Sequence, residues 1–432
     1  MRIFAREMKK LWNWKVLFAI AVFGALIWFA FLKDQVDGYE SLQVHGVYGP
    51  YQAEMFQLYG ETLEPEELAD FDFPAKYAEI SAAGNAIIAQ EPLFAQYGIT
   101  DFEEFYEWYT NESYWIRVGG DVPVVTEQAG NGALTITGQD DPEKEEKDKT
   151  VMYNALNGAD AKTLDEWFAA PMMRWRSLSG LERRCVNWRE DLDSWMQGRD
   201  LSPAVVRAAE RIGAAGNNSL ISHYLAWEFS INAAVTGVFA LAAVMVLVAP
   251  PLITDRTRGI HLLQYASAVG RKIFRIQFAA AAVSAFILSA VITALSFAPF
   301  IAAAGEYWNA GIMVFSTYEM RLYNVTFGQY VWIFAGLIAA LCTGAACLVF
   351  ILARFSANIV SVMIKAVPAG VALSVAAALA LTNMFSADNI LFALVFRGRF
   401  ELPEAAVCCA VMILGLAAAI AVTAREKRAD VM

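Results

Sequence analysis

The chain has 432 residues, of which 57% are hydrophobic and 18% are charged, and its formal net charge at pH 7 is −11. Soluble globular domains are about 45–50% apolar and about 25% charged, so this composition argues against an ordinary soluble protein. The apolar content also excludes a disordered chain, and five cysteines are too few for a disulfide-rich scaffold. We therefore predict an integral membrane protein.

The N-terminal segment, residues 1–15, holds five Lys and Arg against one acid and predicts a basic amphipathic helix. Residues 16–32 follow as an apolar run, close to the ~20 residues that cross a bilayer. A cleaved signal peptide is the competing interpretation, because basic residues precede the run. The run is longer than a usual signal core and no small-residue cleavage site follows it, so we predict an uncleaved first span.

An acidic block occupies residues 33–228. Of the 44 acids and 33 bases in the chain, 35 and 15 lie in this block, which leaves 9 acids and 18 bases elsewhere. We predict that the block is a large, mainly helical extracytoplasmic domain with a small β element near residues 115–137. Apolar residues at spacings of three and four predict one long amphipathic helix in it. These residues are Leu178, Leu181, Cys185, Trp188, Leu192 and Trp195.

Arginines and tryptophans are interleaved between residues 174 and 189, a mixture that is also found on nucleic-acid-binding surfaces. Acidic neighbours offset the charge, and the segment is predicted to lie outside the cell, so we expect no nucleic-acid partner. A solvated helix face is the simpler interpretation. Contact of the arginines with lipid phosphates or an anionic ligand is the alternative.

Five further apolar segments follow the acidic block and bring the predicted number of spans to six. Span two occupies residues 229–253, and spans three to six lie within residues 276–424. Basic residues cluster in the N-terminal segment, in the loop 254–275 and in the tail 425–432. By the positive-inside rule these three segments are cytoplasmic and the acidic block is external. We predict a polytopic all-α membrane protein.

The sequence contains no recognisable catalytic or nucleotide-binding motif. It lacks G-x-x-x-x-G-K-[ST], and its three histidines are isolated, so we expect no ATP site, metal site or cofactor in this chain. Polar residues within the spans could line a substrate path, namely Lys365, Asn232 and Asn358. The simpler interpretations are that the Lys365 ammonium reaches the membrane surface and that the asparagines form interhelical hydrogen bonds.

The loop between spans two and three contains the pattern of a short amphipathic helix, which Asp255 can cap. Such a helix, lying parallel to the membrane, needs a partner for its apolar side. The residues alone leave open whether that partner is the lipid surface or another protein. The apolar side consists of Ile260, Leu262, Leu263 and Tyr265.

The order of these elements resembles the permease subunits of bacterial type-2 ABC exporters. In that family the loop after span two carries an acid, a Gly four residues later, a Leu-Leu pair, a small stretch and an Arg. Asp occupies the acidic position here, where Glu is usual, and Gln277 stands where a Lys often begins span three. The resemblance covers the N-terminus and residues 228–424, about half of the chain. The matching residues are Asp255, Gly259, Leu262, Leu263 and Arg271.

The resemblance implies that the loop couples this chain to an ATPase and that the N-terminal helix lies at the membrane interface. The implied partners are a separate ABC ATPase that binds ATP and Mg, a second permease copy or a homologous permease, and membrane lipids. The coupling residues would be Asp255, Arg256, Gly259, Ile260, Leu262, Leu263, Tyr265 and Arg271, and the interfacial helix would contribute Phe4, Glu7, Lys10 and Trp12.

We therefore expect a permease subunit of the bacterial cytoplasmic membrane that is not itself an enzyme. Its cargo would be amphipathic, such as a peptide antibiotic, a lipid or a glycolipid. The alternative hypothesis is a membrane-anchored sensor or scaffold whose external domain binds a ligand without transport. A secondary transporter is disfavoured, because charged residues within the spans are scarce and no inverted repeat is visible.

Overall fold

The structure is a computed structural model in which the chain divides into two compact units. Unit one comprises Met1–Val44, Tyr59–Glu64 and Arg184–Met432, and unit two comprises His45–Leu58 and Pro65–Arg183. The structure describes residues 2–45, 49–60, 63–90, 94–95, 99–107, 161–197, 199, 201–216, 223–260, 272–315, 320–382 and 403–428.

Helices dominate the described part of the chain. Besides the α-helices there are a π-helical turn, Trp28–Leu32, and a 3-10 turn, Gly305–Tyr307. The helices are α1 (Arg2–Leu11), α2 (Trp14–Ile27), α3 (Lys33–His45), α4 (Gly49–Tyr59), α5 (Pro65–Asp70), α6 (Phe73–Gln90), α7 (Ala161–Cys185), α8 (Trp188–Gln197), α9 (Pro203–Ala215), α10 (His223–Thr257), α11 (Ile273–Ala304), α12 (Phe327–Arg354), α13 (Ile359–Thr382) and α14 (Pro403–Arg428).

In the described part of the chain, six helices are long and apolar enough to cross a membrane, which matches the predicted number of spans. A helix suits this role because it satisfies its backbone hydrogen bonds internally, as hydrocarbon requires. The spans are span one (Trp14–Tyr39), span two (Leu225–Thr257), span three (Ile273–Tyr307), span four (Phe327–Arg354), span five (Ile359–Thr382) and span six (Glu404–Arg425).

Spans two and four lie at the centre of unit one. In the most apolar 18-residue stretch of each span, 61% of the residues of span two and 67% of those of span four are buried. The corresponding values are 6% in span one and 11% in span six. At one end of the bundle Phe229 of span two packs edge-on against Phe297 and Phe300 of span three and Phe327 of span four. These ring contacts hold spans two, three and four together at that end of the bundle.

A short β-hairpin joins spans three and four, and the sequence analysis did not predict it. Its strands are β1 (Val314–Phe315) and β2 (Met320–Arg321), and they run antiparallel. Met313 and Leu322 flank the strands and pack against apolar residues of α8 and α9. The β element predicted near residues 115–137 lies outside the described residues.

The prediction of one long helix from Leu178 to Trp195 is wrong. The segment forms two helices: α7 ends at Cys185, and α8 begins at Trp188. The Asn187 carbonyl accepts hydrogen bonds from the backbone N–H groups of Glu190 and Asp191, so a new helix starts there. All six residues of the predicted face are buried, because the break preserves the spacing of the apolar residues.

Unit two has an aromatic core built from α6, residues 99–107 and α7. The Trp175 ring lies 4.5 Å from the Tyr77 ring and 5.8 Å from the Phe102 ring, measured between ring centres. Tyr77 donates a hydrogen bond of 2.7 Å to Glu182, and burial together with this bond raises the pKa of the tyrosine. Arg174 pairs with Glu79 at 2.9 Å, so this member of the arginine-rich segment is held by a charge within its own unit.

Candidate functional site

The N-terminal helix α1 is fixed against span three by two side-chain contacts. The indole Nε1 of Trp12 donates to Ser284 Oγ at 3.0 Å, and that hydroxyl donates to Met8 Sδ at 3.2 Å. Asn13 follows Trp12 and caps the first turn of span one, because its side-chain Oδ1 accepts a hydrogen bond from the Lys15 backbone N–H. The helix therefore lies against the bundle end at which span two ends and span three begins.

A single glutamine connects three elements at this end of the bundle. Gln277 of span three is buried, and its Nε2 donates to Asp255 Oδ2 of span two at 3.1 Å and to Glu7 Oε2 of α1 at 3.3 Å. Lys10 lies between the same two carboxylates, with its Nζ 2.8 Å from Glu7 and 3.2 Å from Asp255. We call these residues, together with Arg354 and Arg256, the polar junction.

Span four joins the polar junction through Arg354. Its Nη2 donates to Gln277 Oε1 at 2.7 Å, and its guanidinium lies 4.1 Å from the centre of the Phe274 ring. Arg256 of span two donates in turn to the backbone carbonyl oxygen of Arg354. Stacking on an aromatic face and a planar set of donors both suit arginine better than lysine.

The polar junction contains three cationic side chains and only two carboxylates. Burial alone would lower the pKa of Lys10, but hydrogen bonds and charge attraction from Glu7 and Asp255 outweigh burial and raise it. The ammonium is thus held in its charged form between α1 and span two. The arrangement binds α1 and spans two, three and four to one another.

Span two extends beyond its predicted end at residue 253 and reaches Thr257. Asp255 therefore lies in the last turn of this helix and does not begin a new one. Two residues after the helix ends comes Gly259, whose φ of +69° is a left-handed conformation that glycine adopts most readily. Its N–H donates to the Arg256 carbonyl oxygen at 3.0 Å, which closes the final turn.

Four residues of the predicted coupling loop, Leu262, Leu263, Tyr265 and Arg271, lie outside the described residues. Ile260 is half-buried at the edge of the described range, and Phe4 is half-buried on α1. The structure thus brings Glu7, Lys10, Asp255 and Arg256 together, as part of one network. The sequence-based prediction named neither Gln277 nor Arg354 as a site residue, although it noted Gln277 at the start of span three.

The polar residues predicted within the spans are not part of this network. Lys365 Nζ donates to the Phe355 carbonyl oxygen at 2.8 Å, where a cation is favoured by the dipole at the end of span four. Asn358 Oδ1 accepts from the Ser361 N–H at 2.9 Å and so caps the start of span five. Asn232 is fully buried in span two.

An apolar groove of about 710 Å³ runs between spans one, two and five. Thr382 is the single hydroxyl side chain in its lining, and the other residues there are Ala, Ile, Val and Phe. Its chemistry therefore matches hydrocarbon. Among its lining residues are Ile20, Phe23 and Phe31 of span one, Val238 and Ala242 of span two, and Ala378 of span five.

Among the described residues, no group of three or more His, Cys, Asp or Glu side chains is placed to hold a metal ion. Comparison of the chain with protein-family models, with curated proteins and with solved structures finds no match. The functional argument therefore depends on the geometry of this chain.

The contact between Lys10 and Asp255 should give a measurable but small coupling energy. We expect about 0.5–1 kcal/mol from a double-mutant cycle of Lys10→Met and Asp255→Asn, because the lysine side chain is 43% exposed and solvent screens the pair. Because the pKa of Lys10 is raised in the folded protein, the contact stabilises the fold fully at pH values below the ordinary lysine pKa of about 10.4. This stabilisation is lost as the pH rises through the pKa that Lys10 has in the folded protein.

Thermal unfolding of the full chain in lipid nanodiscs measures this coupling. Lys9→Met is the matched control, since Lys9 is the exposed neighbour on the same helix. Strict additivity of the Lys10 and Asp255 substitutions at pH 8 would contradict the contact.

Proposed function

We propose that this chain is the permease subunit of a type-2 ABC exporter, which forms the translocation path and works with a separate ATPase. Six apolar spans preceded by a short amphipathic helix support this proposal. The acidic block, residues 33–228, also supports it as a long insert between spans one and two, and we call it the insert. ATP and Mg would bind to the partner ATPase, and this chain would not hydrolyse ATP.

The polar junction is the observation that carries the proposal. It joins α1 and spans two, three and four close to the start of the loop after span two, where Gln277 Nε2 lies 3.1 Å from Asp255 Oδ2. A push on that loop would therefore reach spans two, three and four together, because charge-assisted hydrogen bonds resist separation. Rigid-body motion of helices of this kind is an established way to transmit a conformational change.

The proposed orientation places the polar junction in the cytoplasm and the insert outside the bacterial cytoplasmic membrane. Its support is the basic character of α1, of the loop 254–275 and of the tail, together with the acidic character of residues 33–228. With this orientation the loop faces the compartment that holds ATP, as the proposal requires.

The proposed cargo is amphipathic: a peptide antibiotic, a lipid or a glycolipid. The hydrocarbon-like lining of the groove between spans one, two and five fits the apolar part of such a molecule. A second permease copy or a homologous permease would complete the path. Spans one and six, which are little buried in a single chain, leave large apolar side chains for that partner and for lipids.

Co-purification tests the proposed coupling loop. We expect an ATPase to purify with the chain in mild detergent and to be lost from the double variant Leu262→Asp/Leu263→Asp, because two carboxylates cannot enter an apolar docking groove. The matched control is Leu58→Asp/Met173→Asp, which adds the same charge at two exposed residues of unit two.

Two outcomes separate transport from the sensor or scaffold hypothesis. Loss of a P-loop protein and of ATPase activity from the loop variant alone would support the permease. If no ATPase purifies with either variant or with the unmodified chain, the proposal fails and the insert becomes the place to search for a ligand.

A further inference from the structure

Three polar side chains in the interior of spans two and three are buried without a hydrogen-bond partner among the described residues. They are the amide of Asn232, of which neither the oxygen nor the nitrogen is bonded, and the hydroxyl groups of Thr236 and Thr293. Asn232 and Thr236 are fully buried, and Thr293 is 4% exposed. Buried polar atoms in native proteins nearly always have a partner, so this group requires an explanation.

The three side chains lie at similar levels, within about 5 Å of one another along the bundle axis. Spans two and three run antiparallel, because Phe229 meets Phe297 at one end and Asp255 meets Gln277 at the other. Moving from the Phe229 end toward the polar junction, Asn232 and Thr236 come three and seven residues after Phe229. At ~1.5 Å per residue these offsets are ~5 Å and ~10 Å.

Thr293 lies at the corresponding level of span three. It comes four residues before Phe297, a displacement of ~6 Å in the same direction. Residues four apart share a face of a helix, so Thr293 is on the face of span three that carries the Phe297 contact with span two. Thr236, seven residues from Phe229, likewise shares the face that contacts span three.

Aromatic rings close this level on the side away from the polar junction. Phe229 is surrounded there by Phe300, Phe327 and Phe334 at ring-centre distances of 5.4–5.7 Å. These rings separate the polar atoms from that end of the bundle. A small polar molecule held between the helices would supply the partners that the described residues do not.

We propose that spans two and three hold internal water at this level, bound jointly by Asn232, Thr236 and Thr293. The chemistry selects water among small polar ligands. A metal cation would satisfy the amide oxygen but would leave the amide N–H₂ donors unpaired, and an anion would do the reverse. Water donates and accepts, and buried waters typically make about three hydrogen bonds to polar groups that lack other partners.

The water site gives spans two and three a polar contact that can exchange partners when the helices shift. A direct side-chain bond would have to break during such a shift, whereas a water molecule can rotate and keep its bonds. This inference does not depend on the proposed transport function, because it concerns the packing of a single chain.

A double-mutant cycle in lipid nanodiscs tests the site, with Asn232→Leu and Thr293→Val as the two changes. Each single variant is expected to lower the melting temperature of the full chain by about 2–4 °C, since each removes one end of the bridge. The double variant should melt close to the less stable single variant, because the bridge can be lost only once.

Thr343→Val is the control, because the Thr343 hydroxyl already donates to the Ala339 carbonyl oxygen at 2.8 Å within its own helix. Its effect should add to that of Asn232→Leu. An experimental density map should also show a solvent peak about 2.7–3.2 Å from the Asn232 amide and from at least one of the two threonine hydroxyls. A cycle in which Asn232→Leu and Thr293→Val are additive, or a map without that peak, would overturn the proposal.

Discussion

Replacing Gly344 with alanine should destabilise the helix bundle by about 2 kcal/mol or more, because spans four and six touch through their backbones at this residue. A Cβ on Gly344 would lie 2.7 Å from the carbonyl oxygen of Val411 and 2.7 Å from its Cγ1. Gly415 makes the reciprocal approach, since its Cβ would lie 3.1 Å from the Gly344 oxygen. Small residues allow membrane helices to approach this closely, and a backbone atom cannot move aside as the end of a side chain can.

Gly336→Ala is the matched control for this prediction, since it adds the same methyl group to the same span. Nothing lies within 4 Å of a Cβ at Gly336, so alanine there should be neutral or should stabilise the helix by up to ~1 kcal/mol. Thermal unfolding of both full-length variants in the same lipid nanodiscs measures the difference. Equal melting temperatures would contradict the prediction, because they would show that spans four and six can accommodate a methyl group at Gly344.

Hydropathy could predict the spans because each one needs about 20 apolar residues, and that requirement is local in the sequence. The end of span two could not be predicted in this way. Hydropathy falls at Thr254, but the helix continues to Thr257, and Gly259 then takes a left-handed conformation. The end of a helix is set by backbone hydrogen bonds and caps, so a helix can continue through a few polar residues at the membrane surface.

The candidate site could be predicted only in part, because its contacts join residues far apart in the chain. Glu7 and Asp255 were selected from the family resemblance, and no local pattern placed them beside one another. Gln277 lies 270 residues from Glu7 and 77 from Arg354, so its role as the connecting residue depends on how the helices pack. Its one sequence signal was a polar residue at the start of an apolar span.

Periodicity alone was also insufficient in the insert. The spacing of Leu178 to Trp195 is that of a continuous amphipathic helix, and the apolar side chains are indeed buried. The helix is nevertheless interrupted at Val186 and Asn187, between α7 and α8. The backbone carbonyl of Asn187 accepts the first hydrogen bonds of the new helix. A repeated apolar spacing reports which side chains face a core, and it does not guarantee one unbroken helix.

Replacing Gln277 with leucine should be the most destabilising single change in the polar junction, at about 3–4 kcal/mol. Leucine has a similar volume but removes the acceptor of Arg354 Nη2, which is 2.7 Å away, and the donor shared by Glu7 and Asp255. A charge that loses its hydrogen-bond partner in a buried site costs far more than the bond itself contributed. The variant should therefore loosen α1, span two and span four from span three together.

Arg275→Leu provides the comparison, because Arg275 is exposed on the same helix two residues earlier. A surface substitution of this kind normally changes stability by no more than about 0.5 kcal/mol. Thermal unfolding in lipid nanodiscs gives the stability of each variant, and proteolysis near residue 12 reports separately whether α1 has been released. The role assigned to Gln277 fails if both leucine variants unfold at the same temperature and resist the protease equally. Gln277→Glu should fall between them, since it restores an acceptor for Arg354 but places a third carboxylate beside Glu7 and Asp255.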